Sequence, residues 1–253
     1  MKRLNLAGWL VVLLVTGLAE IGVRGFDLHD SVAAPSATFS ALADELAAGT
    51  LSGELGATLE SYVQGLALAI VGGVVLGIVI GSSRLLLDAS AVVIEFLRPI
   101  PAVTLIPLAI LAFGLGLPMR RFVIAYAAIW PILINTLYGV RGTDRIFRDV
   151  ARTSGTSRPA ELVRVTLPAA LPSIATGVRV SASIALLVGV TAEFLRGTEG
   201  IGSYMQRQQL GFALPELYAA IVLVGGLGYA INVSLRALER RVLFWAGEER
   251  LGQ

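Results

Sequence analysis

The chain contains no cysteine, a single histidine and a single lysine. Without cysteine it forms no disulfide, iron–sulfur centre or thiolate metal site. With Lys2 as the only lysine there is no Gly-Lys-Ser/Thr phosphate-binding loop, so nucleotide is not hydrolysed here by that route. One histidine excludes His-Glu-x-x-His and other histidine-rich metal centres. A buried serine–histidine hydrolase pair is disfavoured too, because His29 falls between apolar runs, beside Asp27 and Asp30. That trio reads as a solvated loop or as a thin metal or catalytic site. Carboxylates within the apolar runs are few and far apart, a poor basis for proton-coupled transport, and the length leaves little room for the double inverted repeat of many carriers. The basic residues, almost all arginine, form no aromatic-laced patch for nucleic acid. No catalytic residue, no metal site and no cofactor of its own is expected.

What is present is apolar. Hydrophobic residues make up 55% of the 253 and charged residues 15%, against about 25% charged in soluble domains. Near-continuous apolar runs lie at 6–21, 62–80, 99–117, 122–140, 170–195 and 217–235. Each approaches the ~20 residues that cross ~30 Å of hydrocarbon as helix. Lipid offers no partner to an open backbone, so helices are the required form. The expectation is one all-α, polytopic domain over residues 1–253 with six transmembrane helices. If the N-terminus is cytoplasmic, cytoplasmic segments hold 13 Lys and Arg residues and the outer segments five, a positive-inside bias that puts both termini inside. The first run also fits a signal peptide, with small residues at Gly17 and Ala19, which would leave five spans.

Residues 22–57 form the long outer connection, and "APSATFSALADELAAG" within it predicts a short amphipathic helix stopped by Gly49. Gly73, Gly77 and Gly81 repeat at four-residue spacing, which admits a close helix either within the bundle or from a second copy. Pro99, Pro101 and Pro107 predict a kinked interior helix. Thr104, Asn135, Arg179 and Glu193 are the polar candidates for a translocation pathway, chosen on polarity alone; pairing with neighbours is the other reading of Arg179 and Glu193.

The most polar internal stretch is "DVARTSGTSRPAELVRVTLP", residues 149–168. It predicts a helix in which Ala151 and Gly155 share a face, a break at Gly155, and a second helix from Ser157–Pro159 ended by Leu167-Pro168. The pattern resembles the EAA loop of permease subunits of binding-protein-dependent ABC importers, EAA-x3-G-x9-I-x-L-P. Here it reads Asp149-Val150-Ala151, three residues, Gly155, nine residues, then Val165-Thr166-Leu167-Pro168. The spacing matches throughout and three letters differ, the shorter Asp149 among them. "FLRPIPAVTLIPLAILAFGLG", "WPILINTLYGVR" and "TAEFLRGTEGIGSYM" are similar to the branch serving sulfonates, taurine, nitrate and related small solutes. Ser61 stands where that branch often carries arginine.

The resemblance implies a type I (MetI-like) importer permease in the bacterial inner membrane, paired with a second copy of itself. It implies two cytoplasmic ATPase subunits, which use ATP and Mg and dock on the coupling loop at 141–168 through Asp149, Ala151, Gly155, Val165, Leu167 and Pro168. An extracytoplasmic solute-binding protein completes the assembly, with lipid around it and no nucleic acid. A membrane-embedded enzyme and a non-transporting ATPase-binding scaffold are the rival readings.

Overall fold

The computed structural model describes residues 6–26 and 31–244. Lys2, Arg3, the Asp27–His29–Asp30 trio, Trp245 and Arg250 lie outside the described residues. All regular structure among those described is helical: α1 (Leu6–Gly25), α2 (Pro35–Ala47), α3 (Thr50–Ser82), α4 (Arg84–Leu97), a 3-10 turn (Ala102–Leu105), α5 (Ile106–Phe113), α6 (Leu117–Arg141), α7 (Arg145–Thr153), α8 (Arg158–Glu161), a π turn (Leu162–Thr166), α9 (Leu167–Arg196), α10 (Ile201–Leu210) and α11 (Leu214–Val242). The α3, α6, α8–α9 and α11 helices are long and apolar enough to cross a membrane, and α4 with α5 adds a fifth span if taken as one bent element. The 20 residues of α1 have similar reach, about 30 Å. The amphipathic helix expected in the outer connection is α2.

The chain divides into two compact units, Met1–Thr58 with Glu193–Leu227, and Leu59–Ala192 with Gly228–Gln253. In the second unit α6 is the buried centre, and small residues decide what packs on it. A Cβ placed on Gly65 would stand 2.6 Å from Ile124 Cγ2, on Gly73 2.8 Å from Ile132 Cγ2, on Gly77 2.6 Å from Thr136 Cβ, and on Gly81 3.1 Å from Val140 Cγ1. The paired numbers rise together, so α3 and α6 run parallel in close contact. The stripe Gly73, Gly77 and Gly81 is filled by this chain's own α6. Helices in lipid gain little from hydrophobic burial and associate through such close packing.

The opposite face of α6 receives α9 with numbers running the other way. Gly139 meets Ala170 and Ser173, Gly177 meets Asn135, and Gly189 meets Ile124. Ser181 Oγ donates to Ala128 O at 2.6 Å. This antiparallel seam closes at one end on the cluster Val140, Ala170 and Ile174. A second cluster, Ile106, Ala109, Met119, Val123 and Ala192, buries α5 against α6. Large side chains such as Val71, Val75, Leu187 and Tyr229 remain exposed, as lipid-facing residues are.

The prolines after Arg98 do more than kink. The α4 and α5 helices are separate and bent by 82°. Residue 101 is proline and has no N–H, so Leu97 O loses its helical donor. Tyr126 Oη from α6 takes that place, donating to Leu97 O at 2.6 Å. A break in a span is tolerated where protein satisfies the backbone it opens.

Candidate functional site

The coupling segment is built from local capping. Gly142 closes α6, and Asp144 starts α7 by accepting the Ile146 N–H at 2.9 Å. The α7 helix ends on a glycine cap. Gly155 N–H donates to Arg152 O and Thr156 N–H to Ala151 O, both at 3.0 Å, while Gly155 sits at φ +75°. This is the left-handed C-cap geometry that glycine enters without crowding its own Cβ. Ser157 in extended conformation then leads into α8, with Pro159 in its first turn.

Two expectations from the sequence need correction here. Ala151 and Gly155 do not share a helical face: α7 stops at Thr153, Ala151 turns inward and is buried, and Gly155 stands in the turn with open space where a side chain would go. Nor does Leu167-Pro168 end the second helix. Helix runs on from Arg158 to Arg196, 39 residues. The chain absorbs Pro168 by widening one turn, in which Leu167 N–H donates to Leu162 O, five residues back. That spacing takes the preceding carbonyls out of the ladder with which the proline ring would clash.

An ion pair holds the two limbs of the bend. Arg152 donates to both carboxylate oxygens of Glu161, at 2.9 and 3.2 Å. At 1.5 Å per residue the 39-residue helix is about 58 Å long, nearly twice the hydrocarbon thickness. The end that bears Glu161 therefore projects beyond the lipid. The hydrogen-bonded Arg152 guanidinium holds the Glu161 carboxyl below its ordinary range, against the opposing effect of burial. Arg148 also clamps the bend, donating to Val140 O. Asp149 is exposed and lies 3.6 Å from Arg145. Val165, Leu167 and Pro168 are part-buried in the π turn and first turn of α9, where Leu167 packs on the Val140–Ala170–Ile174 cluster.

What the bend offers outward went unread in the sequence. Ile146, Phe147 and Val150 are 67%, 61% and 59% exposed. On a helix they fall within an arc of about 100°, the width of one docking stripe. The signal was there in "RIFRDV", three apolar residues in an otherwise charged helix. An apolar stripe held proud of a rigid, ion-paired bend is shaped to enter a groove in another protein.

The four pathway candidates are each engaged within the chain. Thr104 Oγ1 donates to Pro101 O, Asn135 Nδ2 to Pro131 O, and Arg179 pairs with Glu239 of α11 at 3.0 Å. Glu193, in the first unit, is wholly buried at the start of α10: its carboxylate accepts the Thr58 hydroxyl at 2.8 Å and the Gly202 N–H at 3.2 Å. Ile201 N–H donates to Thr58 Oγ1 and Gly200 N–H to Glu54 Oε2. Gly200, at φ +101°, leaves room where any Cβ would overlap the Glu193 carboxylate. Two acidic groups thus meet the positive end of α10. Among the described residues no cluster of His, Cys, Asp or Glu is grouped to hold a metal ion.

Comparison with known proteins draws these features together. The family described as "Binding-protein-dependent transport system inner membrane component" matches residues 73–244. The chain is 34% identical over 190 residues to the nitrate import permease protein NrtB of Leptolyngbya laminosa, covering 75% of this chain and 68% of that protein. It is 34% identical over 188 residues to the bicarbonate transport system permease protein CmpB of Synechococcus elongatus, covering 74% and 68%. Among solved structures, an inward-facing form of the MetNI methionine ABC transporter matches with a TM-score of 0.63 at 17% identity, over 74% of this chain and 94% of that one. That likeness concerns the fold.

Proposed function

Because the chain belongs to the family of inner membrane components of binding-protein-dependent transport systems, we propose that two copies of it form the solute pathway of an ATP-driven importer. Each copy binds one cytoplasmic ATPase subunit through the bend at 141–168. The observation that carries this reading is the bend itself: a glycine-capped, ion-paired knob showing Ile146, Phe147 and Val150, continuous through the π turn with α9. The partner ATPase uses ATP and Mg. When its two subunits close, the docked knobs are drawn together, and each moves the helix it is part of. No loose linker follows Arg158 to absorb the displacement, so α9 turns with it. Solute reaches the outer mouth on an extracytoplasmic binding protein.

The solute is proposed to be a small anion, on the strength of the nitrate and bicarbonate relatives. The chain is placed in the bacterial inner membrane with both termini cytoplasmic, by its arginine-rich inner segments. Reconstitution in liposomes with the ATPase and binding protein encoded beside it tests the whole reading. ATP-dependent accumulation of nitrate or bicarbonate, stimulated by the loaded binding protein, is expected. A permease that purifies without any ATPase would point to the enzyme alternative. One that holds an ATPase but accumulates none of the sulfonates or inorganic anions offered would point to a scaffold.

A further inference from the structure

The turn that closes α10 repeats the cap after α7 with one residue changed in kind. Phe212 N–H donates to Gln209 O at 3.2 Å and Ala213 N–H to Gln208 O at 2.9 Å. Phe212 therefore occupies the left-handed position that Gly155 fills in the other turn, with φ +56°. Among the described residues it is the one non-glycine residue in that region. An L side chain there crowds the following carbonyl, and a bulky aromatic is a marked outlier. Gly211 stands directly before it in ordinary helical conformation, so the sequence holds a glycine next to the site without using it there. Strained residues persist where the side chain serves something beyond the local fold.

Inside the chain that service is missing. The Phe212 side chain is 83% exposed and neighbouring Leu210 is 74% exposed. The other apolar residues of α10 are already spent: Ile201 and Tyr204 are buried with Leu51 and Ala220, and Met205 packs on them. A helix lying on lipid shows a whole apolar face with a basic face opposite. Here the exposed apolar surface is confined to the tip of α10, beside exposed Arg207 and Gln209. A small aromatic anchor inside a polar rim is the anatomy of a protein contact. The platform beneath it is stiff, pinned by Glu193 and Glu54 at its start and by the Arg207–Glu54 ion pair along its side.

We propose that Phe212, with Leu210 beside it, is the anchor on which the extracytoplasmic solute-binding protein seats. This rests on the importer reading and on the outward orientation of the α10–α11 turn. The test uses the full permease–ATPase complex in nanodiscs and the purified binding protein encoded beside it, reading binding-protein-stimulated ATPase activity. Phe212→Gly is expected to leave basal hydrolysis unchanged and to raise the concentration for half-maximal stimulation about 10-fold or more. It should also raise the midpoint of thermal unfolding by about 2 °C, because glycine relieves the backbone. Phe212→Tyr should keep near-normal stimulation. An unchanged half-maximal concentration in Phe212→Gly overturns the proposal. So does a lowered unfolding midpoint, which would mean that the ring supports the fold. Quenching of a Phe212→Trp variant by brominated acyl chains, above that of the parent, would assign the side chain to lipid and overturn it as well. If the parent complex is not stimulated by the binding protein at any concentration, the importer reading itself has failed, a separate outcome.

Discussion

Gly155 allows the docking reading to be divided into two measurable parts. At φ +75° any L residue other than glycine is disfavoured, yet a Cβ built there meets nothing within 4 Å. Gly155→Ala therefore adds backbone strain with no clash, about 1 kcal/mol. That shifts the balance between the closed and opened turn about fivefold. If the ATPase binds only the closed bend, its affinity falls by no more than that factor, and Gly155→Asn, which tolerates the left-handed region better, falls less. Gly155→Trp carries similar backbone strain and, with the same open space in the chain, no larger folding penalty. Its bulk meets only what docks there. The predicted order of ATPase affinity is glycine, asparagine, alanine, then tryptophan, with tryptophan at least 10-fold below alanine. Affinity is read by titrating purified ATPase onto nanodisc-held permease, and insertion by membrane yield. Equal affinities for alanine and tryptophan would place Gly155 away from the contact and refute the reasoning.

Further outcomes follow from the packing and the ion pair. Gly77→Ala puts a Cβ 2.6 Å from Thr136 Cβ and 2.9 Å from Leu133 O, so α3 must move off α6. A loss of about 1–3 kcal/mol should appear as a lower unfolding midpoint, while Gly53→Ala on the same helix, with nothing near it, should be neutral or stabilising. Tyr126→Phe removes the donor to Leu97 O and should destabilise by about 1–3 kcal/mol in the same measurement. Glu161→Gln should loosen ATPase association less than Gly155→Trp does. Since Arg152 lowers the Glu161 carboxyl, the clasp contributes fully above its unfolded value of 4.5 and is lost as pH falls below that. Association should thus be flat from about pH 6 to 8; a loss across that range would assign the pH response to another group.

Much of this fold could be read from composition and spacing, for reasons visible in particular residues. The apolar runs have few rivals as explanations, because backbone in lipid must be helical. Gly155 is legible because a left-handed cap after a charged helix calls for glycine. The four-residue repeat of Gly73, Gly77 and Gly81 declared a close approach, but α6 as the approaching helix depends on contacts some 60 residues away. The break after Arg98 was legible as prolines; its severity was not, since Tyr126 must supply a hydroxyl from another helix. Glu193 read as a polar residue near a span end. That it caps α10 depends on Thr58 and the Gly200–Gly202 turn, which sequence spacing does not bring together. The π turn left no local mark beyond Pro168, which by itself predicts a helix end as well as a widened turn.

The π turn bears on how force can travel. A helix that ended at Leu167, as a proline there suggests, would join the docking bend to α9 through a flexible joint, and movement of the bend could be lost in the joint. Helix continues instead from Arg158 to Arg196, and Arg152–Glu161 ties α7 to its first turn. The load path then contains one weak place, the widened turn at Leu162–Thr166, where hydrogen bonds are already displaced by Pro168. Thr166 is buried and Leu167 packs on Val140, Ala170 and Ile174, so that turn is supported from the α6 side. Bending there would have to break packed contacts, while rigid rotation of α9 would not. A stiff lever with its compliant turn braced against α6 favours rotation of the span over flexing of the loop.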